Sequence, residues 1–136
     1  MDSYTVDASA VLVYLVDALP SAAADVFSRA EAGEAVLELP AMAAVETLYR
    51  AAKGVSVRGT RLSVDPADLR AGLDTFLPVT VVDDRDPLLG ELVPLVDPFP
   101  NQMHDAMILA SHRDRDTDAV VTADDTRADH AETIWA

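Results

Sequence analysis

The chain has 136 residues, the length of one domain, and half of them are hydrophobic, which is enough to build a core. It contains no cysteine, so disulfides, thiol nucleophiles and cysteine-ligated metal centres are excluded. The formal net charge of −14 argues against a broad electrostatic surface for nucleic acid.

The acidic residues are mostly Asp, and the basic residues are nine Arg and one Lys. An Asp-rich, Lys-poor surface is typical of adaptation to high salt, where self-repulsion is screened, although a high GC content favours the same composition. No stretch approaches the ~18 apolar residues of a membrane helix, and Asp2 stands where a signal peptide would carry positive charge. We therefore expect a halophilic, cytoplasmic protein with no membrane attachment.

Strands and helices alternate along the chain. The predicted strands cover residues 4–6, 35–39, 79–82 and 119–122, with a short final edge strand at 133–135. The first predicted helix follows Asp7, and the second covers 22–32 with Ser21 as its cap. Further helices are predicted at 41–53, 66–76, 86–96 and 103–113. Residues 55–65 are expected to form a loop or helical turn. This order predicts an α/β fold, a three-layer α/β/α sandwich with a central parallel sheet of four to five strands, in a single domain over 1–136.

Two helices have predicted buried faces, defined by apolar residues at helical spacing. These faces are Met42, Val45, Leu48 and Tyr49 in one helix, and Met103, Ala106, Met107 and Ala110 in the other.

Four acids stand at comparable places in this pattern. Asp7 ends the first strand, Glu46 lies beside the apolar stripe of its helix, Asp105 opens a helix, and Asp124 follows the fourth strand. Each also has a structural interpretation: a helix cap for Asp7 and Asp105, a solvated face for Glu46, a turn for Asp124. If the four converge at the carboxyl edge of the sheet, their mutual repulsion favours a hard divalent cation, and such a cluster suits phosphodiester hydrolysis.

Four segments, residues 6–10, 44–48, 105–110 and 120–124, carry these acids in an order and spacing that resemble the PIN domain family, in particular the VapC-type toxins of prokaryotic toxin–antitoxin pairs. The resemblance spans nearly the full chain. It implies a ribonuclease, frequently dimeric, in which the four acids are catalytic and bind Mg²⁺ or Mn²⁺. The supporting residues it implies are Ser9, Thr122 and Asp125, the last as a substitute for or an aid to Asp124. Where the family has an Asp-aromatic pair after the last of these segments, this chain has Thr126-Arg127.

The resemblance also implies partners. RNA is the expected substrate. Its phosphates are expected to contact a group of basic residues, Arg50, Lys53, Arg58 and Arg61. Ordinary surface charge explains these four residues equally well. A small antitoxin protein is expected to cover apolar surface on the first helices and on the Glu46 helix, and to bring a basic side chain into the acidic site.

Other functions remain open or are disfavoured. A PIN-like module that binds RNA or antitoxin without cutting would keep the acids for structural reasons. A receiver domain requires a Lys after the phosphoacceptor position, but Lys53, the one Lys, precedes the candidate Asp83. A haloacid-dehalogenase-like phosphatase requires an acid where Ser9 stands, and Ser9 has no evident His and acid partners for a serine hydrolase. The three His residues lack metal-ligand spacing.

Overall fold

A computed structural model describes residues 1–82, 90–100 and 102–136. Its strands are β1 (Asp2–Val6), β2 (Ala35–Pro40), β3 (Val55–Val57), β4 (Thr60–Leu62), β5 (Thr80–Val82), β6 (Ala119–Val121) and β7 (Thr133–Ile134). Its α-helices are α1 (Ala8–Leu15), α2 (Ser21–Glu31), α3 (Ala41–Lys53), α4 (Pro66–Asp74) and α5 (Met103–Arg115). Short 3₁₀ turns lie at Val93–Leu95 and Asp125–Arg127. Part of the predicted helix 86–96, and Asp83, lie outside the described residues.

Five strands form one parallel sheet in the order β5-β2-β1-β6-β7. The register pairs Val6 of β1 with Val121 of β6, so the two central strands end side by side. The predicted parallel sheet of an α/β/α fold is confirmed, and the final edge strand is present as β7.

Helices flank this sheet, and the core lies between the layers. The largest fully buried side chains come from strands and helices alike, among them Phe27 of α2, Leu12 of α1, Leu37 and Leu39 of β2, and Leu109 of α5. The ring of Phe27 stacks on Tyr14 with centroids 4.7 Å apart. Within the described ranges, no helix has the length and apolar character needed to span a membrane.

The buried face of α3 differs from the predicted one. Val45 and Tyr49 are 51% and 63% exposed, whereas small residues of the same helix, Ala43, Ala44, Thr47 and Ala51, are buried. The physical reason is that small side chains let the helix backbone approach its neighbours closely, and Thr47 satisfies its hydroxyl by donating to the carbonyl of Ala43. Met103 at the start of α5 is likewise exposed rather than buried, while Ala106 and Ala110 are buried as predicted.

The segment expected to be a loop or helical turn is a β-hairpin, β3–β4. Its two turn residues, Arg58 and Gly59, have φ of 50° and 82°. Positive φ at both positions is the geometry of a type I′ turn, whose twist matches that of the strands.

The helix boundaries predicted from the sequence agree with those of the structure to within two residues, over the residues that the structure describes. Ser21 is not the cap of α2; that position is Pro20, and no side chain caps the helix there. At α4, Asp65 does cap the helix, accepting from the amides of Ala67 and Asp68.

Candidate active site

Asp7 is a helix cap and a member of the cleft described below. It follows Val6 at the end of β1 in an extended conformation, and its Oδ1 accepts hydrogen bonds from the amide of Ala10 (3.0 Å) and the hydroxyl of Ser9 (2.7 Å). The residue is only 4% exposed. The two interpretations left open by the sequence therefore coexist, because the cap fixes the carboxylate that faces the cleft.

Thr122 holds the other side of Asp7. Because Val6 and Val121 are paired, Thr122 follows β6 next to Asp7, and its hydroxyl donates to Asp7 Oδ2. The same hydroxyl oxygen accepts from the amide of Asp124 (3.0 Å). Both hydroxyls expected to support the site, Ser9 and Thr122, thus contact Asp7.

The four predicted acids line one cleft. It has a volume of about 160 Å³, and Asp7, Glu46, Asp105 and Asp124 face it from β1, α3, α5 and the segment after β6. It opens at the carboxyl edge of the parallel sheet, where ligands bind in open α/β folds. Asp125 is exposed and lies outside this lining.

Glu46 is linked to a residue that the sequence did not single out for the site. Its Oε1 lies 3.0 Å from Nδ1 of His104, which also lines the cleft, and its Oε2 lies 3.9 Å from Arg50. His104 is exposed at the start of α5. Its ring joins α5 to Glu46 of α3 at the lining of the cleft.

Asp124 is held by the turn that follows it. Its Oδ1 accepts from the amide (3.0 Å) and the hydroxyl (2.7 Å) of Thr126. Burial raises the pKa of Asp124, but these hydrogen bonds and the charge of Arg127 outweigh that effect, so its pKa lies below the ordinary value.

Arg127 is the site residue that sequence reasoning missed. Its Nη1 donates to Asp7 Oδ2 and to the hydroxyl of Thr122 (2.9 Å), and its Nη2 donates to Asp105 Oδ1. The residue is 5% exposed. Burial alone would lower the pKa of Arg127, but the carboxylates of Asp7 and Asp105 raise it by more than burial lowers it. Its pKa therefore lies above the ordinary value, and the guanidinium stays charged. The only available signal was Thr126-Arg127 replacing the Asp-aromatic pair of the resembled family.

Nε of Arg127 is the one fully buried side-chain nitrogen or oxygen in the described parts of the chain that has no hydrogen-bond partner. Leaving such a donor unpaired in the interior is costly. The guanidinium is therefore strongly attracted to two carboxylates but incompletely satisfied.

The four basic residues expected to contact RNA are spread over the end of α3 and the hairpin. Arg50 adjoins Glu46, and Lys53 lies over the ring of Tyr49 at 5.7 Å. Arg58 lies over the ring of Trp135 at 5.6 Å, and Arg61 packs against Gly54. Arg50 is thus the one of the four that contacts a cleft acid.

The donor chemistry of the cleft suits a divalent cation, because carboxylate oxygens are what Mg²⁺ and Mn²⁺ prefer. Its present geometry is different: across residues 1–82, 90–100 and 102–136, no three acidic or His side chains stand close enough together to hold a metal. The guanidinium of Arg127 lies between Asp7 and Asp105 instead. The donor set thus suits a divalent cation in its chemistry, and Arg127 occupies the place between two of the acids.

Comparisons with known proteins give the fold alone. No model of a protein family matches the chain, and no curated protein matches it. Among solved structures, the chain is similar to a chain of the crystal structure of VapBC2 from Rickettsia felis bound to a DNA fragment from its promoter. The TM-score is 0.69 at 12% identity, covering 98% of this chain and 99% of that one.

Proposed function

We propose that this protein is the toxin of a type II toxin–antitoxin pair and acts in the cytoplasm as a metal-dependent endoribonuclease that hydrolyses RNA phosphodiester bonds. One observation carries the proposal: Asp7, Glu46, Asp105 and Asp124, far apart in sequence, line a single cleft. The fold shared with a VapBC2 structure supports the toxin–antitoxin assignment.

In this proposal the four acids are the ligands of Mg²⁺ or Mn²⁺. When bound, the cation lowers the pKa of water and offsets charge on the phosphodiester oxygens. Asp7 is held by Ser9, Ala10 and Thr122, so its carboxylate keeps one orientation. Asp124 is similarly fixed by Thr126, and Glu46 by His104.

RNA has to approach a strongly acidic protein, so local positive charge matters. Arg50 adjoins the cleft through Glu46 and is half exposed, which suits a phosphate contact. Lys53, on the same helix, and Arg58 and Arg61, on the hairpin, extend this contact surface in the proposal.

The partner is proposed to be a small antitoxin, and the protein itself a homodimer. The support lies on α3, where Val45 and Tyr49 are exposed instead of buried, next to Glu46. An exposed apolar helix face is a common protein-binding surface.

The alternative of a cleft that binds without cutting is favoured by one observation, the ion pairs from Arg127 to Asp7 and Asp105. These pairs give two of the four acids a structural role without any metal.

The test is cleavage of end-labelled RNA in molar potassium chloride with millimolar Mn²⁺, using wild type, Asp105→Asn and Asp68→Asn. Asp68→Asn makes the same chemical change on the exposed first turn of α4. We expect wild type and Asp68→Asn to cut, and Asp105→Asn and chelator-treated wild type not to. Equal cleavage by all three proteins, or none by wild type across a broad RNA set, would contradict the proposal.

A further inference from the structure

We infer that Arg127 is an internal cation that competes with the divalent metal for Asp7 and Asp105, so that the cleft accepts metal only when this side chain withdraws. The inference rests on the proposed function, since it concerns the same cleft. From the sequence, an antitoxin is expected to bring a basic side chain into the acidic site. In this inference a residue of the chain itself, Arg127, takes that place.

The contacts place the guanidinium between two of the acids that are proposed to bind the metal. Its two terminal nitrogens donate to Asp7 Oδ2 and Asp105 Oδ1, which come from β1 and α5. The guanidinium and a divalent cation both bind these oxygens, and two positive groups at this separation repel. Occupancy by one therefore excludes the other.

Loss of the guanidinium proton cannot be what releases Arg127. A guanidinium stays charged at any pH at which the protein is folded, and both carboxylates strengthen that preference. Release requires a competitor for the carboxylates, and a divalent cation is the natural one.

The surrounding segment allows the side chain to leave. Between Ala123 and Asp129, Arg127 is the one buried residue, and it ends the 3₁₀ turn Asp125–Arg127. Its Nε gains a partner in water that it lacks in the cleft. When the side chain of Arg127 withdraws, the one buried residue of this surface segment moves and the apolar core stays intact.

Calorimetric titration of Mn²⁺ into the full-length protein, in molar potassium chloride, tests the competition. We expect Arg127→Gln to bind Mn²⁺ about ten- to 100-fold more tightly than wild type, because the metal no longer has to break two buried ion pairs. Arg127→Lys should fall between the two, since it keeps the charge but not the forked geometry. Arg70→Gln is the electrostatic control: it removes the same charge from an exposed pair on α4, outside the cleft, and should change the affinity less than about threefold.

Hydrogen exchange on wild type provides a second readout that does not depend on any variant folding. The Nε–H of Arg127 is buried in the cleft and has no hydrogen-bond partner there. If a divalent cation drives this side chain out, the Nε–H should exchange with water faster at saturating Mg²⁺, which does not broaden NMR signals as Mn²⁺ does, while exchange of the β1 amides should not change.

The outcomes separate this inference from the proposed function. Equal Mn²⁺ affinity in wild type and Arg127→Gln, or unchanged exchange of the Arg127 Nε–H with metal bound, overturns the competition but leaves the nuclease standing. Tighter binding by Arg127→Gln without RNA cleavage supports the competition and contradicts the nuclease. No binding by either protein overturns both, and the cleft is then a structural ion-pair network.

Discussion

The hydroxyl of Thr122 donates to the carboxylate of Asp7 across 115 positions of sequence, at the place where two paired strands end. The same oxygen accepts from the amide of Asp124 and from Arg127. One buried hydroxyl thus joins three of the polar groups that build the cleft.

We predict that Thr122→Val destabilises the protein by about 1–3 kcal/mol, because Val keeps the shape but leaves buried partners unpaired. Thr122→Ser, which restores the hydroxyl, should recover most of this loss. Urea unfolding of the two variants and wild type measures the difference. Equal stabilities of the Val and Ser variants would contradict the prediction.

Asp7→Asn should cost about 3 kcal/mol of unfolding free energy, because it removes one carboxylate from a buried guanidinium and leaves Asp105 alone to balance it. Asp74→Asn is the matched control: its pair with Arg70 is exposed on both sides, so its loss should cost less than about 1 kcal/mol. Urea unfolding at neutral pH compares the two. A cost for Asp7→Asn as small as that of the control would mean that Arg127 does not depend on Asp7.

The sheet and the acids were predictable because both depend on regular sequence features. Runs of β-branched and apolar residues gave the strands, and an acid after Val6 or shortly after Val121 had to lie at the carboxyl edge once the strands were parallel. The pairing of β1 with β6 itself, which brings Thr122 to Asp7, is a long-range choice that local pattern does not determine.

Three features were not predictable, each for its own reason. The face of α3 was misassigned because hydrophobicity favours Val45 and Tyr49, while close packing favours small residues such as Ala44. The hairpin was missed because Arg58 gives no sequence signal for a positive φ. The position of Arg127 depends on the reach of one long side chain from an irregular turn, which no periodicity encodes.

His112 makes the stability of the protein depend on pH. Burial and the nearby Arg113 lower its pKa below the ordinary 6.5, against a smaller opposing effect of Asp116, and its Nδ1 lies 2.7 Å from the hydroxyl of Thr117. The unfolded chain therefore binds more protons than the folded one just below pH 6.5, and stability falls as the pH drops through that range. We predict that His112→Gln loses less stability than wild type between pH 7.5 and 5. Urea unfolding across this range measures it, and parallel curves would contradict it.

The RNA contacts proposed for α3 predict a change in salt dependence. Affinity for RNA falls as salt rises, and each phosphate contact makes that fall steeper. If Arg50 and Lys53 each contact one phosphate, the plot of log affinity against log salt should be shallower by about 1.4 for the double variant Arg50→Gln, Lys53→Gln. Fluorescence anisotropy with labelled single-stranded RNA, in the presence of chelator, measures the slope. The double variant Arg29→Gln, Arg70→Gln removes the same charge from α2 and α4 and should leave the slope unchanged. Equal slopes for the two double variants would place the RNA elsewhere.

The net charge of −14 predicts that the folded state is stabilised by salt. Self-repulsion among acids spread over the whole chain opposes compaction, and it is screened over about 10 Å at 0.1 M salt but over about 3 Å at 1 M. We expect the melting temperature to rise with potassium chloride, most steeply below about 1 M, where the screening length changes most. Sucrose at matched osmolality is the control, because it favours the compact state without screening charge. A melting temperature that responds equally to sucrose and to salt would show that charge repulsion is not what the salt relieves, and the acidic composition would then have no role in salt adaptation.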